Sequence, residues 1–333
     1  MRDICDYSLR RHNTFGIEAR CKRFLEYGSI EEAQAVADIL RHRSDSLLII
    51  GAGSNLLLTK DFNGVVVHSA CRGVAVDGCE VRCGSGETWD DMVDKWIDQG
   101  LYGAENLSLI PGDVGASAVQ NIGAYGVEAK DLIAKVEAVE IETGKVCTFD
   151  NADCHYGYRQ SRFKTEWKNR FLITSVTYRL SREFCPMLDY GNIRMELDRR
   201  GLTEPTAREL RNVIIDIRRA KLPDPEVMGN AGSFFMNPVV GREQYELLAA
   251  QHADMPHYYI DAEHEKIPAG WLIEKCGWKG RTMGRAGVHE RQALVLVNRG
   301  EATGQDVVRL CEAIRQDVSE KFGITIYPEV NIV

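Results

Sequence analysis

The chain has 333 residues, 44% of them hydrophobic and 27% charged, with a formal net charge of -8. That length allows two or three domains with a substantial core, and the acidic balance excludes a general nucleic-acid or anionic-membrane binder, because both need a basic surface field. No apolar run approaches the roughly 18 residues that span a bilayer, and the opening MRDICDYSLRRHNTFG lacks the apolar middle of a signal peptide, so a cytoplasmic protein is expected.

In chain order, Ser29 and Glu32 have capping-box spacing and open a helix whose inner face carries Ala33, Val36, Ala37 and Leu40. Residues 46–50 read as a buried strand feeding Gly51-Ala-Gly-Ser-Asn55, and residues 65–68 as another strand after the turn Asn63-Gly64. The eleven residues between Gly53 and Val65 include Asp61, Asn63 and Gly64, which leaves no room for a crossover helix. GAGSNL therefore lacks the strand-loop-helix context of a dinucleotide fingerprint, and Leu56 replaces its third glycine. The loop can still cradle a pyrophosphate with its N–H groups and the side chains of Ser54 and Asn55.

Residues 88–100 form an amphipathic helix with Trp89, Met92, Val93, Trp96 and Ile97 inward, closed by Gly100. The run IPGDVGASAVQNIGAYG, residues 110–126, packs four glycines and three alanines into one loop-like stretch. Such a stretch is either a tight turn between strands or bare backbone presented to an anion. Its pairing with the glycine loop at Gly51 favours the second. Residues 136–149 read as a hairpin turning at Thr143-Gly144, 171–180 as a buried strand, and 206–221 as a helix stopped by Leu222-Pro-Asp-Pro225, where a C-terminal domain begins. Beyond it, 271–276 is helical, 293–297 a strand and 306–322 a long helix. A last strand over 324–333 carries Pro328-Glu329 and docks on the N-terminal part.

The ten cysteines are scattered from Cys5 to Cys311 without a CxxC pair and read as reduced thiols; His252, His257 and His264 lack helical metal-pair spacing, and no metal is expected. Three polar residues stand in turn contexts that core packing does not explain. Ser233, in Gly229-Asn-Ala-Gly-Ser-Phe-Phe235, either bonds its own turn or projects a hydroxyl into a pocket with an apolar floor. On spacing alone, Arg159 in Gly157-Tyr-Arg-Gln-Ser161 and Glu329 after Pro328 read as solvated surface charges.

Taken together these segments resemble the UDP-N-acetylenolpyruvoylglucosamine reductase family nearly end to end. The resemblance is carried by Asn13-Thr-Phe-Gly16, Gly51-Ala-Gly-Ser-Asn55, the whole 110–126 run, Gly157-Tyr-Arg159, Lys221-Leu-Pro-Asp-Pro225, Gly229-Asn-Ala-Gly-Ser-Phe-Phe235, Ala269-Gly-Trp-Leu-Ile273 and Pro328-Glu-Val330. It implies an α+β protein with the FAD-binding fold of the vanillyl-alcohol oxidase type, made of two α+β subdomains, plus a C-terminal α+β substrate-binding domain. The implied division is 1–70 with 324–333, then 71–215, then 216–323. The implied activity is NADPH-dependent reduction of UDP-N-acetylglucosamine enolpyruvate to UDP-N-acetylmuramate through noncovalent FAD, in peptidoglycan precursor synthesis.

By the same resemblance Gly51, Gly53, Ser54 and Asn55, with Gly115, Ala116 and Ser117, hold the FAD pyrophosphate. Ile110, Pro111, Ile122, Gly123 and Tyr125 lie along the flavin, and Arg218 adds a cation. Ser233 is the implied proton donor, Arg159 the cation and Glu329 its partner, while Tyr190, Lys221, Asn237, Lys279 and Gln292 surround the UDP-sugar. Tyr190 matches the loop tyrosine of the longer family type. No nucleic acid, membrane or obligate protein partner is implied. The chain departs from the pattern at Asp113, where many relatives have a small residue or Cys, in Ala116-Ser-Ala118, and in its short end at Asn331-Ile-Val333. A nicotinamide-only dehydrogenase would need a Rossmann unit that is missing here. A silent UDP-sugar-binding module would lose the acid and the cation.

Overall fold

Helices start where a side-chain oxygen can accept the unsatisfied N–H groups of a first turn. Ser29 Oγ accepts from the Glu32 N–H at 3.2 Å and opens the helix Ile30–Arg41, but the Glu32 carboxylate reaches back to the Gly28 N–H at 2.7 Å, one residue earlier than a reciprocal box requires. Thr303 and Asp306 close a full reciprocal box at the head of the helix Gly304–Phe322, which ends at Gly323 with φ +63°.

The computed structural model describes residues 1–333, which fold as two units. The first comprises Met1–Tyr7, Cys21–Ala52 and Asn63–Arg218; the second comprises Ser8–Arg20, Gly53–Phe62 and Arg219–Val333. The expected three-part division is drawn differently: this clustering joins most of 1–70 to 71–215 and groups 8–20 and 53–62 with the C-terminal part. The end of the chain pairs with Leu56–Leu57, and both segments belong to the second unit.

The first unit holds two sheets. In one, the strand order is Arg2–Ser8, Arg20–Tyr27, Phe62–Ser69 and Ser46–Ile50, the last two running parallel with Leu48 opposite Val66 and no helix between them in the sequence. The other is a five-stranded sheet in the order Val146–Asp150, Ile133–Glu140, Phe171–Arg179, Glu80–Gly84 and Val74–Asp77. Its hairpin pairs Glu137 with Thr148 and turns through Gly144 at φ +69°. The helix Ile30–Arg41 buries Ala33, Val36, Ala37 and Leu40 among Leu25, Val65 and Val67 of one sheet and Val139 and Leu172 of the other. Tyr27 ties the two sheets by donating its hydroxyl to the Ile173 carbonyl at 2.7 Å.

The helix Trp89–Asp98 buries all five of its apolar residues, with the Trp89 and Trp96 rings edge to face at 5.7 Å. Each such ring stabilises the fold by roughly 1.5–3 kcal/mol through burial alone. The helix Ala207–Lys221 packs Leu210, Val213, Ile214 and Ile217 on Ile193 and Leu197 of the helix Ile193–Arg199. On its other side Arg211, 5% exposed, gives hydrogen bonds to Asp90 (2.7 Å) and Asp94 (2.9 Å) of the Trp89–Asp98 helix.

The second unit centres on Phe15, Phe234, Phe235, Ile326 and the inner face of Gly304–Phe322. Its larger sheet has the order Asn230–Ser233, Val295–Asn298, Ala286–Val288, Thr282–Met283. The strand expected over 324–333 shrinks to Asn331–Ile332, parallel to Leu56–Leu57. The reason is local: Ile324 and Ile326 are drawn into the core, Pro328 has no N–H, and the Glu329 N–H bonds Phe234 instead. No helix is long and apolar enough to cross a membrane.

Candidate active site

The 110–126 run is not the open loop its composition suggests. Residues Val114–Gln120 form a short helix, and Gly123–Ala124 and Val127–Glu128 pair as a small hairpin. The N–H groups of Val114 and Gly115 are taken by the Glu87 and Ser85 carbonyls, both at 2.8 Å. A Cβ on Gly115 would stand 2.9 Å from Ser85 Cβ, so this glycine is set by close packing. Ser117 is buried; its hydroxyl donates to the Val114 carbonyl and shares a hydrogen bond with the Tyr178 hydroxyl, both at 2.7 Å. Gly115 and Ser117 thus fasten the segment from inside, while the Ala116 methyl lies 3.2 Å from where a Gly51 Cβ would be. Ile110 and Ile122 are half-buried and Pro111 is exposed.

After the helix the chain turns through Asn121, buried and left-handed at φ +45°. Its side-chain oxygen accepts from the Lys130 N–H at 2.9 Å, and its amide donates to the Gly157 carbonyl at 2.8 Å, which joins this turn to the one bearing Arg159. Arg159 also sits in the left-handed region, at φ +55°, a conformation that costs a non-glycine residue about 1–3 kcal/mol and persists only where its surroundings impose it. Its guanidinium donates to the Gly123 carbonyl at 2.6 Å and the Asn121 carbonyl at 3.4 Å, and lies 5.2 Å from the Tyr158 ring. The surface reading of Arg159 gives way to a held, half-buried cation.

Arg218 belongs to the same neighbourhood. Its Nε is buried without a hydrogen-bond partner. Burial pushes its pKa down, with the like charge of Arg159 adding to the effect and Tyr125 and Asp90 opposing it. Burial also pushes the Tyr125 phenol up, against the pull of Arg218. Asp90 anchors the group by accepting from Arg211 and from the Leu109 N–H at 2.5 Å. Two guanidiniums and a phenol thus share one neighbourhood, with one buried donor of Arg218 unspent. Asn106 donates to the Tyr125 carbonyl (2.7 Å) and the Met187 carbonyl (2.9 Å), and Tyr190 Cβ lies 3.5 Å from the position of a Cβ on Gly126. The exposed Tyr190 therefore rests beside the Tyr125 turn.

In the second unit, Ser233 ends the strand Asn230–Ser233 opposite Val295. The next residue is clamped on both sides: the Phe234 N–H donates to Leu294 at 2.7 Å, and its carbonyl accepts from the Glu329 N–H at 2.8 Å. A bridge between Phe235 and Pro328 extends the pairing. Ser233 and Glu329, nearly a hundred residues apart in sequence, are thus neighbours in space. Asn55 joins them, its amide donating to the Glu329 carbonyl at 3.3 Å while its own carbonyl accepts from the Asn331 N–H at 3.1 Å. Gly53 is left-handed at φ +72°, and a Cβ there would fall 1.9 Å from the His12 carbonyl oxygen. Ser54 is half-buried in the same turn.

Thr14 holds this arrangement. Its N–H donates to the Gly53 carbonyl at 3.2 Å, and its hydroxyl donates to the Asn230 carbonyl at 2.6 Å. Asn237 accepts from the Ala269 N–H at 2.9 Å, and Gln292 Oε1 lies 3.2 Å from the position of a Cβ on Gly270, so both amides meet the first turn of the helix Ala269–Lys275. Lys279 is exposed and ion-paired with Glu274 at 2.9 Å; Lys221 is half-buried at the end of its helix. Asp90, Arg211, Asn121 and Thr14 carry no motif that would single them out as site-forming. Of the four, Thr14 and Asn121 lay in segments whose resemblance drew attention to them, and Asp90 and Arg211 did not.

Residues 22–150 match the family model described as FAD binding domain, and residues 224–333 match that of the UDP-N-acetylenolpyruvoylglucosamine reductase C-terminal domain. The UDP-N-acetylenolpyruvoylglucosamine reductase of Bacteroides fragilis (strain YCH46) is 54% identical over 98% of this chain and 99% of its own length. That of Flavobacterium johnsoniae is 44% identical over 98% of both. The crystal structure of UDP-N-acetylenolpyruvylglucosamine reductase from Thermus caldophilus shares the fold, with a TM-score of 0.69 over 99% of this chain and 98% of that one at 20% identity. The α+β chain described here, with its FAD-binding domain and its C-terminal domain, belongs to the UDP-N-acetylenolpyruvoylglucosamine reductase family.

Proposed function

We propose that this protein reduces UDP-N-acetylglucosamine enolpyruvate to UDP-N-acetylmuramate with NADPH and noncovalent FAD, in the cytoplasm, as a step of peptidoglycan precursor synthesis. The observation that carries the reading is the main-chain clamp in which the Phe234 carbonyl accepts from the Glu329 N–H at 2.8 Å, which brings the segments bearing Ser233 and Glu329 together. The residues present suit FAD on structural grounds. Arg218 offers a buried guanidinium nitrogen with no partner, and Tyr125, Gly123 and Ile122 offer a half-buried surface for a planar ring. Gly51, Gly53, Ser54, Asn55 and Ala116 would hold the pyrophosphate, with Gly115 and Ser117 fixing the backbone beneath, and Ile110 and Pro111 would flank the flavin. Bound FAD supplies the hydride, which it takes from NADPH.

Hydride addition at C3 of the enolpyruvyl group drives negative charge onto C2 and its carboxylate. Arg159, held by the Gly123 and Asn121 carbonyls, meets that charge without having to reorganise. Ser233 donates the proton to C2; a hydroxyl is a weak acid, but a developing carbanion is strong enough to take its proton. Glu329 is the polar partner that orients the carboxylate end. Lys221, Lys279, Asn237 and Gln292 are assigned to the UDP-sugar, and Tyr190, beside Tyr125 and Gly126, to a loop over the nucleotide. General acid catalysis supplies about 10²- to 10⁴-fold. In stopped flow, Ser233→Ala should still bleach the flavin once with NADPH and lose that factor in reoxidation by the enolpyruvyl sugar. Normal turnover of the sugar by this variant would refute the role of Ser233.

A further inference from the structure

Behind the Gly51 turn of the first unit lies a line of charges that the reaction does not use. Arg2 pairs with Glu26 Oε1 at 3.1 Å, Glu26 Oε2 with His68 Nδ1 at 3.0 Å, and His68 Nε2 faces Asp113 Oδ2 at 3.6 Å. Asp113 Oδ2 is buried, has no hydrogen-bond partner, and stands 3.1 Å from where a Cβ on Gly51 would be. His68 and both carboxylates are about one-sixth exposed or less. A neutral imidazole has one N–H, so it can donate to Glu26 or to Asp113 and must turn a lone pair on the other; only the imidazolium suits both. The Phe24 ring, 6.3 Å from the imidazole centre, adds no charge, and Arg2 acts on the far side of Glu26.

We propose that His68 and Asp113 are positioning residues for the cofactor, a charge pair behind the Gly51 turn through which FAD binding takes up a proton. The inference rests on the assignment of Gly51 to the FAD pyrophosphate. Asp113 places a carboxylate beside a turn that would carry a second anion, and like charges that close disfavour each other unless a cation offsets them. His68 is that cation, and its protonation is linked to occupancy. Burial alone would push the imidazole pKa down, but Asp113 and Glu26 outweigh it and hold the value above the ordinary one. Glu26 is likewise pushed up by burial and held low overall by Arg2 and His68.

The sign follows from linkage. A bound anion raises the imidazole pKa further, so the FAD dissociation constant is flat at low pH and rises with pH once free His68 loses its proton, by at most about tenfold per pH unit. Flavin-stripped protein titrated calorimetrically with FAD from about pH 6 to about pH 9, in two buffers of different ionisation enthalpy, should take up a fraction of one proton. Asp113→Asn should move both the uptake and the slope to lower pH while binding FAD as tightly or more so. His68→Gln should bind roughly tenfold more weakly at low pH, with His68→Gln/Asp113→Asn recovering the loss. Zero uptake by the unmodified protein across that range, or an unchanged slope in Asp113→Asn, would overturn the pair even if the variants fold poorly. Failure of the unmodified protein to bind FAD at any pH would instead sink the cofactor assignment, and this inference with it.

Discussion

Gly53 and Gly229 of the second unit and Gly51 and Gly123 of the first look alike in sequence and differ in cause. In the second unit, Gly53 and Gly229 are walled by main chain: an added Cβ would fall 1.9 Å from the His12 carbonyl oxygen and 2.2 Å from that of Phe15. In the first unit, the position at Gly51 meets only side chains, Asp113 Oδ2 at 3.1 Å and Ala116 Cβ at 3.2 Å, and the nearest atom at Gly123 is Arg159 Nη1 at 2.9 Å. A glycine-rich run therefore has at least two physical meanings. One is a place where two backbones must touch, and the other is room kept for a side chain that has work to do. Composition cannot separate them, because both select against a Cβ.

The comparison breaks most visibly at Gly53. Gly53→Ala adds a clash with an unyielding carbonyl to a left-handed φ, and should cost more than about 4 kcal/mol, seen as loss of the folded baseline in urea unfolding. Gly229→Ala has the clash without the left-handed φ and isolates the main-chain wall; a loss close to that of Gly53→Ala would assign the cost to contact rather than to torsion. Thr14→Val is next, since it leaves the Asn230 carbonyl without its 2.6 Å donor and should cost about 1–3 kcal/mol. Gly123→Ala should cost about 1–2 kcal/mol, because Glu128 Cγ (3.0 Å) and the Val127 carbonyl (3.1 Å) must yield slightly while the guanidinium of Arg159 swings away. Its mark is kinetic. Displacing Arg159 should slow reduction of the enolpyruvyl sugar by about 10²-fold or more and leave flavin bleaching by NADPH near normal.

What the sequence revealed follows the same division between local and tertiary causes. The helices Ile30–Arg41, Trp89–Asp98, Ala207–Lys221 and Gly304–Phe322 were legible because each carries an apolar stripe at helical spacing behind a Ser or Thr. The helix Val114–Gln120 was not. Its residues are small, Gly115 disfavours helix, and what holds it is the tertiary contact of Ser117 with Tyr178. The final strand was over-extended because its alternation of apolar residues, Ile324, Ile326 and Val330, serves core packing rather than pairing. The proximity of Ser233 to Glu329 was reachable only through family resemblance, since nothing local in either segment names the other. Arg211 and Asp90, the ion pair that steadies the Leu109 turn, lie on two helices far apart in sequence, and nothing local pairs them.

The smallest expected effect tests the comparison most directly. Gly51→Ala should cost about 1 kcal/mol or less, because φ there is not left-handed and the atoms in the way, Asp113 Oδ2 and the Ala116 methyl, can move by the few tenths of an ångström required. If the walls are side chains, trimming one must relieve the strain. The pair Gly51→Ala and Asp113→Ala should then show a coupling of about 0.5 kcal/mol or more in a double-mutant cycle, read by urea unfolding. The matching cycle of Gly53→Ala with His12→Ala should show none, since the obstacle at Gly53 is a carbonyl that every residue at position 12 retains. Coupling at both positions, or at neither, would mean that the two glycines answer to one cause after all.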